Sequence, residues 1–251
     1  MLKYILPLIL PWLGAHTGSS DNCKSIVFEG RHYITCQFDP SKVELRLYYK
    51  DPKSDTVLRS FTTLQDMLTA EGRALDFAMN AGMYHHDMSP VGLYVEDGKQ
   101  HAPLITGGGW GNFHLLPNGV FYLKDGKAQV MESLKFAAAG IEPQFATQSG
   151  PMLLIDGAVH PKFLPDSDSL KIRNGVGVSE DGIVHFAIST ERVRFYDFAI
   201  LFRDLLKTQN ALYFDGTISS VVIPELGRFD RLYPMGPMIA VSHLKTPEIA
   251  D

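Results

Sequence analysis

Asp215 is the side chain whose surroundings most clearly suit chemistry. It follows the apolar run 211–214 and precedes a turn made of glycine, threonine and serine residues. A carboxylate that leaves a buried strand into such a turn can act as a nucleophile, a general base or a metal ligand. An Asx-turn, in which the Asp oxygen accepts a nearby backbone N–H, is an equally good interpretation of the same residues.

Three other segments also place polar groups beside glycine. They are Asn80-Ala81-Gly82-Met83, Gln148-Ser149-Gly150-Pro151 and Arg173-Asn174-Gly175. The arginine fork suits a phosphate or a carboxylate because it donates paired hydrogen bonds, although a surface ion pair would also explain Arg173. Amides and hydroxyls at strand ends suit a polar ligand.

The metal-ligand patterns are weak. In His85-His86-Asp87, adjacent residues of an extended chain point to opposite faces, and no HExxH or Cys/His spacing occurs. We therefore expect no catalytic metal, with His85 lining the site instead. Asp166-Ser167-Asp168-Ser169 could hold a structural Ca²⁺ through oxygens, and a solvated loop is the alternative. Glu225 is a candidate second carboxylate, with Glu191 and Asp197 as spare ones.

The elements that would position these groups are mainly hairpins. Four phrases run from a glycine through alternating apolar residues to Asp-Gly, at Asp97-Gly98, Asp125-Gly126, Asp156-Gly157 and Asp181-Gly182. Asp-Gly between apolar runs predicts a two-residue hairpin turn of type I′. The turns should therefore lie at one end of the molecule, and the polar–glycine segments at the other.

Two helix–strand units interrupt the hairpins. Residues 62–70 predict a helix with Ser60 as its cap and Gly72 beyond its end, followed by a buried strand over 74–79. Asp197 is the expected cap of a second helix, whose apolar stripe runs from Phe198 to Leu206 and precedes the strand 211–214. The fold class is therefore α+β, a mainly antiparallel curved sheet of hairpins packed on a few helices, with a hint of internal duplication.

The N-terminus predicts export. Lys3, the apolar run 4–13 and the small residues 15–20 are typical of a secretory signal peptide over 1–20, with a retained anchor as the alternative. A two-residue turn at Glu29-Gly30 pairs Cys23 with Cys36 across a hairpin, which predicts a disulfide.

Composition bounds the remaining possibilities. The chain has 251 residues and a net charge of −5, which gives no reason to expect nucleic acid or an anionic membrane surface as a partner. No linker divides it, so we expect one domain over 21–251, without stable membrane insertion of the mature chain.

The four polar segments, in this order, resemble those of the phosphodiester glycosidase family. The resemblance covers roughly residues 74–241 and departs at Thr217, where many relatives have a second glycine. It implies an α+β fold, a sugar–phosphate conjugate or envelope glycan as partner, and cleavage of a sugar from a phosphodiester at the anomeric carbon. Carried over, it makes Asn80, Arg173 and Asp215 the catalytic candidates. The substrate-binding candidates are Gln148, Ser149, Asn174, Gly216, Thr217, Ser219, Ser220 and His85.

Two other functions fit the same residues. One is a non-catalytic module that binds an envelope glycan or polymer, and the other is a metal-dependent phosphodiesterase that cuts the P–O bond. An arginine and an aspartate at polar–glycine strand ends favour the glycosidase, acting in the periplasm or outside the cell.

Overall fold

The computed structural model describes residues 22–245, so the signal peptide predicted over 1–20 lies outside it. Three α-helices occur in this part: α1 (Phe61–Ala70), α2 (Ser133–Ala139) and α3 (Phe195–Ile200), the last continued by a π-helical turn over Leu201–Leu205. The strands, in chain order, are β1 (Cys23–Phe28), β2 (Arg31–Phe38), β3 (Glu44–Tyr48), β4 (Arg73–Asn80), β5 (Tyr94–Glu96), β6 (Lys99–Ala102), β7 (Gly119–Lys124), β8 (Lys127–Glu132), β9 (Phe145–Ser149), β10 (Met152–Ile155), β11 (Ala158–Val159), β12 (Asn174–Ser179), β13 (Val184–Ser189), β14 (Thr208–Asp215), β15 (Val221–Ile223), β16 (Arg228–Phe229) and β17 (Met238–Leu244).

The strands form three sheets, and their pairings are antiparallel, which confirms the α+β class. The first sheet has the order β1-β2-β13-β12-β14-β10-β11, the second β16-β15-β4-β17-β3 and the third β6-β5-β9-β7-β8. The two predicted helix–strand units, α1–β4 and α3–β14, deliver their strands to different sheets. The internal duplication stays a prediction.

A common core lies between the three sheets, and each sheet carries one helix on its other face. Phe77, Phe121, Phe186 and Phe214 belong to the common core and bring all three sheets together. On the outer faces, α1 packs on the second sheet, α2 on the third and α3 on the first. Burial of both faces explains why segments 74–79 of β4 and 211–214 of β14 are mostly apolar.

The first hairpin has the predicted register. Phe28 pairs with Arg31, and the alternation continues to Cys23 opposite Cys36, whose Cα atoms lie 4.0 Å apart and whose sulfurs form the disulfide. Glu29 and Gly30 both have positive φ, as a type I′ turn requires.

Three of the four Asp-Gly turns follow the prediction, and the fourth differs. Both residues have positive φ at Asp97-Gly98, Asp125-Gly126 and Asp156-Gly157. At the fourth turn, only Gly182 has positive φ. The backbone N–H of Ser179 donates to the carbonyl of Ile183, so the loop contains three residues, 180–182, instead of two. The Asp181 carboxylate accepts the Ser179 hydroxyl there, which stabilises the longer turn.

The first helix is confirmed, whereas the second begins earlier than predicted. The Ser60 hydroxyl accepts the backbone N–H of Thr63 and so caps α1. Helix α3 begins at Phe195, and Asp197 lies inside its first turn, accepting the backbone N–H of Arg194. The π-helical turn rotates the end of the predicted stripe outward, so Leu205 is exposed.

Within residues 22–245, none of the helices has the length and apolarity needed to cross a bilayer.

Candidate functional site

Strand ends from all three sheets meet at one point. Asn80 ends β4 in the second sheet, whereas Asn174 begins β12 and Asp215 ends β14 in the first. The antiparallel register places Asn174 opposite Asp215. Ser149, the last residue of β9 in the third sheet, donates its hydroxyl to the carbonyl oxygen of Phe214 at 2.8 Å. The topology therefore assembles most of the predicted polar segments.

Two buried amides tie this point together. Both Asn80 and Asn174 are inaccessible to solvent. The Asn174 Nδ2 donates to Asn80 Oδ1 at 2.7 Å, and the backbone N–H of Ser220 donates to the same oxygen at 3.0 Å. The Asn174 Oδ1 accepts the backbone N–H of Asp215 at 3.2 Å. These contacts fix both ends of the turn that follows Asp215.

Asp215 is held by backbone rather than by a cation. The N–H of Thr217 donates to Asp215 Oδ1 at 2.7 Å, so the Asx-turn is present. Burial raises the pKa of Asp215 above its usual value, and the backbone N–H groups of Thr217, Ile218 and Gly216 oppose that rise. Among the described residues, no lysine, arginine or histidine forms an ion pair with it. We therefore find a carboxylate whose proton affinity is increased, at the meeting point of three sheets.

Position 216 requires glycine because a side chain there would collide with a neighbouring residue, and not because of the backbone angles. A Cβ at this position would lie 1.8 Å from the Tyr213 hydroxyl oxygen. Tyr213 thus lies against the turn that follows Asp215. Burial raises the pKa of Tyr213, and the Asp215 charge adds to that rise. Tyr213 was not among the predicted site residues, because its position inside an apolar run is typical of a core side chain.

Arg173 lies in the protein interior and not on the rim where we expected it. It is 0% exposed, and its guanidinium stacks on the Phe195 ring at 3.5 Å. Its Nε donates to the Val193 carbonyl and its Nη2 to the Ser169 carbonyl, each at 2.9 Å. Burial lowers the pKa of Arg173, and its contact with Tyr213 opposes that shift. Stacking on Phe195, the first residue of α3, places the side chain in the interior, which the local sequence did not indicate. Its catalytic role stays a prediction.

Gln148 and His85 lie in two contrasting environments. The Gln148 side chain is buried and bridges the third sheet to the loop at Ile105, accepting that residue's N–H at 2.9 Å and donating to its carbonyl at 2.6 Å. His85 is exposed in a turn closed by its own N–H and the Ser89 carbonyl. The substrate-binding roles of both residues stay predictions.

The other candidate carboxylates and ligands are engaged elsewhere. Glu225 accepts the backbone N–H of Cys23, Glu191 that of His32, and Asp197 pairs with Arg31. Carbonyls of the loop proposed for Ca²⁺ accept arginine donors at Ser167 and Ser169. No group of three or more metal-ligating side chains occurs within residues 22–245, and the calcium site stays a prediction.

Tyr84 and a cavity beside Ser219 are features that the sequence did not indicate. The Tyr84 hydroxyl donates to the Pro234 carbonyl at 2.7 Å, and burial, together with the nearby Asp215 charge, raises its pKa to about 12. Its position four residues after Asn80 was the available signal.

The cavity beside Ser219 has a volume of about 370 Å³ and is lined by Ser219, Ser220 and the segment that begins at Arg228. A larger groove of about 790 Å³ lies among the hairpin turns, and it shares no lining residue with this cavity.

Comparison with known proteins identifies the family. Residues 73–234 match the family model described as NAGPA, phosphodiester glycosidase, which is more than half of the chain. The chain belongs to the phosphodiester glycosidase family. This confirms the resemblance carried by the polar segments, all of which lie within the matched residues.

Members and structural neighbours of the family extend the comparison. The uncharacterized protein YigE of Escherichia coli (strain K12) is 35% identical over 203 residues, which cover 81% of this chain and 79% of YigE. The catalytic domain of zebrafish N-acetylglucosamine-1-phosphodiester alpha-N-acetylglucosaminidase, auto-inhibited by its pro-peptide, superimposes with a TM-score of 0.60 at 14% identity, covering 87% of this chain and 81% of that one. A putative exported protein from Burkholderia pseudomallei gives 0.57 at 11% identity, covering 84% and 74%. At these identities, the structural neighbours show a shared fold.

Proposed function

We propose that this chain is a hydrolase that cleaves the anomeric C–O bond of a sugar-1-phosphodiester, with an N-acetylglucosamine-like sugar. The observation that carries the proposal is Asp215, a partly buried carboxylate without a cationic partner among the described residues, fixed by the Asn80–Asn174 link. The family match supports the reaction class, and the name of the zebrafish neighbour supports the type of substrate.

The proposed chemistry balances without a cofactor. Asp215 either takes a proton from the attacking water or attacks the anomeric carbon to form a glycosyl ester, which water then hydrolyses to release the sugar. Both routes pass through an oxocarbenium-like transition state. The bond from the anomeric carbon to the phosphate oxygen breaks, and the phosphate monoester leaves with the electron pair. That leaving group has a second pKa of roughly 6, so it needs little protonation. A raised pKa makes Asp215 a stronger base than an exposed aspartate.

The Asn80 amide would bind the sugar. Asn80 Nδ2 is a buried donor without a partner among the described residues, although most such groups in native proteins are satisfied. A sugar hydroxyl would supply the missing acceptor. Arg173 contributes a fixed positive charge from beneath the site, next to Tyr213, and such a charge would stabilise negative charge that develops on the leaving phosphate.

Hydrolysis of the methyl phosphodiester of N-acetylglucosamine-1-phosphate tests the reaction. Wild-type protein should release free sugar, and Asp215→Asn should abolish release while remaining folded. Asp156→Asn is the matched control, because Asp156 lies in a hairpin turn and pairs with Lys135. Activity that survives Asp215→Asn would contradict the role of this carboxylate.

The same assay in ¹⁸O-labelled water separates the alternatives. Label in the sugar indicates C–O cleavage, whereas label in the phosphate, together with loss of activity on adding a chelator, indicates a metal-dependent phosphodiesterase. Binding of the substrate without release of sugar indicates a non-catalytic module.

We also propose that the protein acts in the periplasm or outside the cell. The Cys23–Cys36 disulfide supports this location, since disulfides persist in oxidising compartments, and one structural neighbour is described as a putative exported protein. The intact mass of protein from the periplasmic fraction tests the proposal. Retention of residues 1–20 would contradict signal cleavage.

A further inference from the structure

The cavity beside Ser219 adjoins the Asp215 turn. The Ser219 hydroxyl donates to the Asp215 carbonyl oxygen at 2.7 Å and also lines the cavity. Ser189, Thr190 and Ser220 contribute further polar groups to its wall. The cavity wall and the backbone of Asp215 are therefore in contact through Ser219.

Arg228 is the arginine that lines the cavity, and Asp230 fixes the orientation of its guanidinium. Its side chain is 24% exposed, in contrast with the inaccessible Arg173. Asp230 accepts from its Nη2 at 2.9 Å and from its Nε at 3.3 Å. Asp230 is itself fixed by the backbone N–H of Val221 at 3.0 Å. One edge of the guanidinium is thus oriented by a carboxylate, which leaves the N–H groups of Nη1 for a ligand.

The surroundings of the cavity are basic in an acidic chain. Lys171, Arg192 and Arg231 are exposed and lie within two residues of lining positions, and Arg228 lines the cavity. Glu191 is also exposed beside a lining position and Asp230 lines the cavity, so cations outnumber carboxylates here although the whole chain carries −5. Hydroxyl groups and a cluster of cations suit a phosphate, because charge-assisted hydrogen bonds to an arginine are among the strong ones.

The outer part of the cavity is apolar. Leu232 is 86% exposed and Tyr233 49% exposed, and both line the cavity. Phe229 is also exposed, on the strand that leads to them. Large apolar side chains grouped at the mouth of a polar cavity suit an alkyl group attached to the bound phosphate.

We propose that this cavity is the leaving-group subsite, in which Arg228 binds the phosphate and Leu232 and Tyr233 contact an apolar alcohol esterified to it. The inference rests on the proposed function and gives the substrate class: a sugar joined through phosphate to an aliphatic group. It also separates two arginines, with Arg228 touching the substrate and Arg173 acting from the interior.

The test compares methyl and octyl phosphodiesters of N-acetylglucosamine-1-phosphate. Arg228→Gln should lower kcat/KM on both substrates by roughly 10- to 100-fold, the usual worth of a hydrogen bond to a charged group. Arg228→Lys, which retains the charge, should recover part of the loss. Arg203→Gln is the matched control because Arg203 also pairs with a neighbouring carboxylate, Asp204, but does not line the cavity, and it should stay within about twofold of wild type. Thermal unfolding checks that each variant is folded.

The preference for the octyl over the methyl substrate tests the apolar mouth of the cavity. Wild type should prefer the octyl over the methyl substrate by roughly tenfold, from burial of part of the chain. Leu232→Ser should lower kcat/KM more on the octyl than on the methyl substrate and so reduce that preference. Equal use of both substrates by wild type would overturn the apolar part of the proposal.

Binding of octyl phosphate, the expected product, separates this inference from the proposed reaction. If wild type releases sugar but Arg228→Gln matches it in rate and in octyl phosphate affinity, the subsite is wrong and the reaction stands. If wild type releases no sugar but binds octyl phosphate through Arg228, the reaction is wrong and the subsite stands. Failure of both measurements overturns both.

Discussion

At the scale of single residues, the site contains buried polar side chains whose burial lowers the stability of the folded protein. Asp215 is partly buried with a raised pKa, and the buried Asn80 Nδ2 has no partner among residues 22–245. Such features lower stability unless a ligand satisfies them. The sequence alone was enough to predict that Asn80, Asn174 and Asp215 lie at strand ends and form part of a polar site. The contact between Asn80 and Asn174 could not, because it joins two sheets across 94 positions of sequence.

Asp215→Asn should increase stability at neutral pH. The native pKa of Asp215 is raised, so ionisation disfavours the folded state, and this cost is absent below the unfolded pKa of about 3.8 and grows as pH rises above it. The variant should therefore have a higher Tm than wild type at pH 7, and the two should converge near pH 3.5. Thermal unfolding across pH measures the difference.

Asp181→Asn is the opposite control for that experiment. The Ser179 hydroxyl lowers the pKa of Asp181, so its charged form favours the folded state and the substitution should decrease Tm at neutral pH. A lower Tm for Asp215→Asn at pH 7 would contradict the proposed cost of the buried carboxylate.

Gly216→Ala should inactivate and destabilise the protein through Tyr213. The new Cβ would lie 1.8 Å from the Tyr213 hydroxyl oxygen, which must move and displace the adjacent Asp215 turn. Tyr213→Phe removes that oxygen, so the double variant should be more stable than Gly216→Ala alone. Unfolding by denaturant for both single variants and the double variant gives the coupling energy.

Gly107→Ala is the control for added volume, since a Cβ at Gly107 meets no atom within 4 Å. Simple additivity of Gly216→Ala and Tyr213→Phe would show that the predicted collision does not govern this turn.

At the scale of elements, local rules predicted what local contacts determine. The register of β1 with β2, the cap of α1 and three type I′ turns each depend on a few neighbouring residues. Helix α3 shows the limit of such rules. Its start and its π-helical turn are set by packing on the first sheet and by the Asp197 contacts with Arg31 and Arg194, which a periodic pattern does not encode. Tertiary packing likewise decided that Arg173 is buried.

Removing the disulfide should destabilise the first hairpin and the sheet it borders. Replacing both Cys23 and Cys36 by alanine should lower the unfolding free energy by about 3 kcal/mol, in the chain-entropy model for so short a loop. Denaturant unfolding of oxidised protein measures the loss. Under reducing conditions wild type should approach the variant, and equal stability of the two when oxidised would contradict the prediction.

At the scale of the whole molecule, stability depends on junctions between the sheets. Glu96 on β5 accepts the backbone N–H of Tyr49, which follows β3, and the Tyr94 hydroxyl, each at 3.1 Å. Burial raises the pKa of Glu96 to about 7, despite these two donors. A carboxylate at the junction of the second and third sheets therefore ionises within the physiological range.

Glu96→Gln should change how stability varies with pH. Ionised Glu96 disfavours the folded state, so wild type loses stability as pH rises from about 4.5 to about 7, whereas the variant does not. The Tm advantage of Glu96→Gln should grow over that range and then level off. Glu142→Gln, at an exposed position, should leave the wild-type profile unchanged. A constant Tm difference from pH 4.5 to 8 would contradict the role of Glu96.

The separation of hairpin turns from the Asp215 end bears on how such a protein can diverge. Gly126, Asp156 and Asp181 border one groove, and the polar strand ends meet elsewhere. Insertions at these turn tips lengthen a hairpin without altering strand register, so this end is free to acquire new loops or attachment points during evolution. A single-residue insertion within β12 or β14 would move Asn174 away from Asp215 and disconnect the catalytic candidates. Relatives should therefore differ in length at the turns while keeping the spacing of the strand ends.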